Sequence, residues 1–211
     1  MTVLTFDELN VLDYEGRRSE EYEEYFSDMG LTKKQKEDRI ELAKKFEDEF
    51  WPVLILLATL REYGTLTEDE ARQEFWDAFW AVINLILPDD DNREQMADDF
   101  ADEVARSTME HLDDPYYFSK DRAMFMSENE SESAHNYKEF GEALASGKTH
   151  KRWIDMRDTR VRKTHSIVGG TVMPIKEPFL VGDSLLMFPK DTSLGADASE
   201  IVNCRCIAQY F

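Results

Sequence analysis

The sequence predicts an α+β protein: a helical N-terminal region, residues 1–118, then a small α+β C-terminal domain, 119–211, with a short, mainly antiparallel sheet. Three observations predict this. Between residues 33 and 145 apolar side chains recur at three- and four-residue steps, the spacing of one helix face. Beyond Gly147 the periods shorten and turn residues crowd at Gly169-Gly170, Pro174 and Pro189. The charge is also uneven. The 211 residues carry 25 basic and 45 acidic side chains, net −20. Residues 151–211 are close to +2, leaving about −22 on residues 1–150. This length, with 42% hydrophobic and 33% charged residues, suits a soluble globular chain with its own core.

The elements follow in order. Residues 1–30 read as acidic and irregular, with a short helix over 19–29. Thr32 caps a helix over 33–63 whose inward positions are Ile40, Ala43, Phe46, Phe50, Val53 and Leu57. Pro52 lacks an N–H and predicts a kink or break near Glu49; Gly64 stops the helix. Thr67 and Glu70 form a capping box before a helix over 71–87. Its stripe of Phe75, Trp76, Phe79, Trp80, Ile83 and Leu87 reads as bundle core rather than a ligand box. Pro88 to Asn92 is a turn. Its aspartates lack the glycine and closing glutamate of a calcium loop, so they read as a solvated cap. A third helix covers 92–112 with Met96, Phe100, Val104 and Met109 inward. Asp113-Asp114-Pro115 breaks the chain, and an entry helix or helix pair covers 119–146. The compact sheet part, 148–211, has a strand over 151–156 with Trp153 inward and helical turns over 159–165. Further strands are expected over 171–175, 184–188 and 201–211.

Composition excludes several classes. The acidic N-terminal region repels phosphate, so bulk nucleic-acid or anionic-membrane binding there is disfavoured and a basic partner surface fits better. The longest apolar run, 51–60, is far short of the about 20 residues a bilayer needs. The first residues lack a signal-peptide pattern. Two cysteines make no disulfide framework, and a reducing cytoplasm is the simplest setting. There is no Walker A motif, dinucleotide fingerprint, H-E-x-x-H or G-x-S-x-G.

The chemistry-bearing residues lie in the last sixty. Cys204 and Cys206, two apart, fall on one face of a strand. They read as packed core thiols, as a redox pair, or as half of a zinc site with His165 third and no evident fourth ligand. His165 follows Asp158, Arg160 and Arg162. A histidine beside arginines can exchange protons while arginine stabilises a phosphate-like transition state. The plainer reading pairs these arginines with nearby acids. Lys148, Lys151, Arg152, Arg157, Arg160, Arg162 and Lys163 form a basic run; of these Lys151, Arg152, Arg157 and Lys163 are the candidate phosphate contacts. Nothing else marks a cofactor.

Read in order, Trp153, Asp158-x-Arg160-Val161-Arg162-x-Thr164-His165, Gly170, Pro174, Glu177-x-Phe179, Pro189-x-Asp191, Glu200 and Asn203-Cys204-Arg205-Cys206 form a joint pattern. It resembles the phage Mu F-like head morphogenesis family, the minor head proteins of tailed bacteriophages. Ser127-Glu128 and Asn136 fall where that family carries Thr/Ser-Glu and Asn. The resemblance covers about residues 120–211, and the acidic region before it has no counterpart. It implies a structural protein that docks on portal, scaffold or major capsid protein in the host bacterial cytoplasm, joins the virion head, and assists DNA packaging, retention or delivery. The run 148–163 would then face packaged DNA. Related domains also occur in phage-linked toxins and are likened to small ribonucleases, which implies the alternative of RNA cleavage by His165 with Arg160 and Arg162.

Overall fold

A computed structural model describes residues 19–27, 29–89 and 91–211. The stretch 1–18, expected to be irregular, lies outside them. Helices dominate the chain as far as Ala145, and a small antiparallel sheet region follows, so the α+β class holds. No helix among the described residues is long and apolar enough to cross a membrane.

The caps sit where the sequence placed them. Helix α1, Ser19–Ser27, precedes α2, Lys33–Tyr63. Thr32 accepts from the Gln35 amide at 3.3 Å, and the Gln35 side chain accepts from the Thr32 amide at 3.1 Å. Pro52 does not break α2, which runs through it. A proline costs one hydrogen bond and a clash with the preceding turn, and here Phe50, Val53, Leu54 and Leu57 are all buried around it. Gly64, at φ 67°, closes α2: its amide bonds Arg61 O and the Thr65 amide bonds Leu60 O, the paired bonds of a Schellman end. The Thr67–Glu70 capping box opens α3, Glu68–Ile83. Helix α4, Asp91–Glu110, is followed by a 3₁₀ turn, Pro115–Phe118. Helix α5, Lys120–Ala145, is one helix rather than a pair.

The chain divides into two units, one comprising Glu41–Glu128 with the described residues up to Glu23, the other Glu24–Ile40 with Asn129–Phe211. These divisions fall inside α1, inside α2 and inside the helix Lys120–Ala145, whereas the sequence places its boundary at 118. In the first unit, Phe46, Phe50, Phe79 and Phe100 stack with centroids 4.6 to 5.4 Å apart. Trp76 and Trp80 are only half-buried and stack on each other instead, with Arg93 over the Trp80 ring. On α4, Ala97, Ala101, Ala105 and Thr108 are fully buried beside Phe100, while Met96, Val104 and Met109 are half-buried.

The second unit is built differently. Its part of α5 buries Ser131, Glu132, Ser133 and Asn136. Buried polar groups need partners. Arg39 supplies two: its Nε donates to Glu132 at 2.6 Å and its Nη1 to Glu139 at 3.1 Å. Ser131 donates to Arg39 O at 2.7 Å, and Asn136 to Pro189 O at 3.1 Å. This explains why Glu24–Ile40 belongs to the C-terminal unit.

The sheet has the order β2-β1-β5, all antiparallel: β1 is His150–Ile154, β2 Val172–Pro174 and β5 Ile207–Tyr210. A separate hairpin pairs β3, Phe179–Val181, with β4, Ser184–Leu186. Three expectations need correction. The helical turns near 159–165 form at α6, Lys163–Val168, because residues 158–161 make an Asp158-anchored turn. Strand β3 was not expected. The terminal strand starts only at Ile207; before it lie α7, Ala198–Ile201, and Asn203 in the left-handed region at φ 59°. Cys204 and Cys206 therefore do not lie on a strand.

Candidate metal centre

Burial brings the motif residues together. Trp153, Val168, Phe179, Val181, Leu186, Cys204 and Cys206 form one core cluster. His165 stands edge-on to Trp153 with centroids 5.6 Å apart. The Gly169-Gly170 turn makes this packing achievable. Gly170, at φ 80°, donates to Trp153 O at 2.9 Å, and a Cβ on Gly169 would stand 2.5 Å from Asp155 Oδ1. The helix carrying His165 is thus folded back onto β1.

Around His165 each ring nitrogen has a partner. Nε2 lies 3.0 Å from Glu200 Oε2, which also accepts from Thr164 Oγ1 at 2.8 Å. Nδ1 faces Cys204 Sγ at 3.4 Å and Cys206 Sγ at 3.5 Å. His165, Cys204 and Cys206 are 2%, 1% and 3% exposed. Their donor atoms lie within 4.8 Å of one another, close enough to hold one metal ion, and among the described residues they form the candidate metal-binding cluster.

The electrostatics are those of an ion pair. Burial acts to raise the Cys204 thiol, but hydrogen bonds from Cys206 and His165, with the charges of His165 and Lys190, hold it well below the usual thiol value. Burial acts to lower His165, but its bond to the Cys204 sulfur and that sulfur's charge raise it, with Glu200 adding and Arg162 opposing. Cys206 is pushed up by its hydrogen bond to Cys204 and by burial, so it stays a thiol. Together these shifts favour negative charge on Cys204 and positive charge on His165, with Glu200 behind the ring.

Asn129 clamps the loops that carry these groups. Its Oδ1 accepts from the Asn203 amide at 3.1 Å and from Lys190 Nζ at 2.5 Å, while its carbonyl accepts from Lys190 at 2.9 Å. Lys190, itself at φ 67°, is fully buried. Asp191 accepts from the Met187 and Ser193 amides at 2.7 and 3.0 Å.

The arginines are held by acids and carbonyls. Arg205 Nη2 lies between the Asp158 oxygens at 2.9 and 2.7 Å, Arg162 donates to Val202 O, and Arg160 pairs with Asp158 at 3.4 Å. Asp158, Arg160 and Arg162 therefore do not converge with His165 on an open cleft. Of the candidate phosphate contacts, Lys151 is fully buried and donates to Met187 O at 2.5 Å, so it cannot reach a phosphate; burial pushes its ammonium down to about 8. Arg152, Arg157 and Lys163 are exposed. Sequence reasoning missed the roles of Asn129, Lys190 and Glu200. Lys190 sits inside Pro189-x-Asp191, but no local signal marks it as buried.

Gly182, at φ 60°, would place a Cβ 2.5 Å from Glu200 Oε1. Gly182→Ala is expected to lose about 1–2 kcal/mol from the left-handed backbone alone. Displacement of Glu200 adds to this, and urea unfolding of the variant beside wild type measures the sum.

Neither family models, nor curated proteins, nor solved structures contain a match to this chain.

Proposed function

We propose that the chain is a structural minor head protein of a tailed phage, of the Mu F-like kind, docking on portal, scaffold or capsid protein and assisting DNA packaging, retention or delivery. One observation carries this reading. The residues of the resemblance make structural contacts: Trp153, His165, Cys204 and Cys206 are buried together, Asp158 pairs with Arg205, Arg162 donates to Val202 O, and Asn136 donates to Pro189 O. Such a pattern is the signature of a fold, which is what a head-family motif would be. The acidic helices then offer a face for basic portal or capsid surfaces, and Lys148, Arg152, Arg157 and Lys163 a face for DNA.

The ribonuclease alternative is supported less. A general acid or base must reach the proton it transfers, and His165 is shielded with both nitrogens engaged. For the metal centre, two thiolates and an imidazole are the donors zinc prefers, and a closed, buried set suits a structural ion. The head-protein reading predicts that mass spectrometry of purified virions finds the chain and that it co-sediments with portal or procapsid. Absence from both would remove it.

A further inference from the structure

Two of the three donor–donor distances match those of a bound ion, and all three lie within 4.8 Å. A tetrahedral ion bound about 2.0 Å from nitrogen and about 2.3 Å from sulfur sets those donors about 3.5 Å apart. His165 Nδ1 lies 3.4 and 3.5 Å from the two sulfurs. The second observation is behind the ring. A histidine that ligates through one nitrogen ordinarily donates its other N–H to a carboxylate, which fixes the tautomer and aims the lone pair. Glu200 stands at that position, 3.0 Å from Nε2. It is itself oriented by Thr164 on the same oxygen and by α7, whose N-cap Asp197 bonds the Ser199 amide at 2.8 Å. The space it occupies exists because residue 182 has no side chain.

We propose that Glu200 is the positioning residue of a zinc-class divalent site formed by His165 Nδ1 and the Cys204 and Cys206 sulfurs. This rests on the zinc reading above and assigns the group that tunes it. Both sulfurs bind as thiolates and His165 Nδ1 through its lone pair, so any protons on those three atoms leave to solvent; Nε2 keeps its proton for Glu200, and the fourth donor comes from outside the triad. The thiolate pair selects zinc or cobalt over magnesium or calcium, which prefer oxygen.

The test titrates reduced, metal-free protein with Zn²⁺ against a competing chelator dye and with Co²⁺ followed by its visible spectrum. Wild type is expected to bind one equivalent, with thiolate-to-cobalt and tetrahedral ligand-field bands. Cys204→Ser and Cys206→Ser are expected to weaken zinc sharply. Glu200→Gln keeps the shape and weakens zinc by about 10–100-fold. It also alters the cobalt bands, which loss of packing alone would not do. Thr164→Val moves affinity in the same direction by less. If wild type binds no zinc, both the zinc reading and this inference fall. If wild type binds but Glu200→Gln binds equally with an unchanged cobalt spectrum, the zinc reading stands and the inference about Glu200 is overturned. Because wild type alone decides the first question, a variant that fails to fold does not obscure it.

Discussion

Glu132→Ala is expected to destabilise the protein by about 3–5 kcal/mol. Arg39 and Glu132 are both fully buried and share a 2.6 Å bond. Removing the carboxylate leaves a guanidinium out of water, with only its 3.1 Å contact to the half-buried Glu139. With Glu132 gone only Glu139 offsets the burial, yet a guanidinium does not deprotonate in a protein, so it cannot shed the charge to escape. The pair as a whole is a weaker contributor than either half suggests, because desolvation opposes its attraction. The double change Arg39→Met with Glu132→Leu is therefore expected to recover most of the loss. Urea unfolding of the three proteins measures this. A single variant within 1 kcal/mol of wild type would mean that Arg39 finds water when unpaired and that the second unit is not tied through this bond.

Trp153→Ala is expected to lose about 3–5 kcal/mol. The ring is fully buried between His165, at 5.6 Å, and Phe179, at 5.3 Å, both edge-on. Its removal leaves a cavity under the His165–Cys204–Cys206 cluster that the short strands β1 and β3 are poorly able to close. Its indole N–H makes no hydrogen bond of good geometry, though it favours a thiolate at Cys206. Trp153→Phe is accordingly expected to lose less, since most of the ring's apolar contact survives. Thermal unfolding by circular dichroism checks both; equal losses for Ala and Phe would point to the N–H rather than to packing.

The helical half was legible because its signals are local. Thr67 with Glu70, Thr32 and Gly64 each mark an end within a few residues, and the sequence spacing alone places Phe46, Phe50, Phe75 and Phe79 inward. The polar face of α5 was not legible. Ser131 and Glu132 look like surface residues until Arg39, more than ninety positions earlier, is brought beside them. In the C-terminal domain, Trp153 was read as inward and is, but Phe179–Val181 is too short to show a period between Pro178 and Gly182. The apolar interleaving of residues 201–211 reads as one strand, which would put both cysteines on one face. Asn203 interrupts that strand, and the Cys206 amide donates to Cys204 Sγ at 3.4 Å. His165 was recognised as a third donor. Glu200's place behind it depends on a loop closure of 35 residues, for which the sequence carries no local mark.

The proposed role of the His165–Cys204–Cys206–Glu200 constellation is to hold the domain together. Equilibrium urea unfolding of His165→Ala beside wild type, in reductant and chelator so that no metal contributes, tests it most directly. A loss of at least about 2 kcal/mol is expected, since a buried histidine in contact with the Cys204 sulfur and the Glu200 carboxylate is removed. A variant as stable as wild type would contradict it.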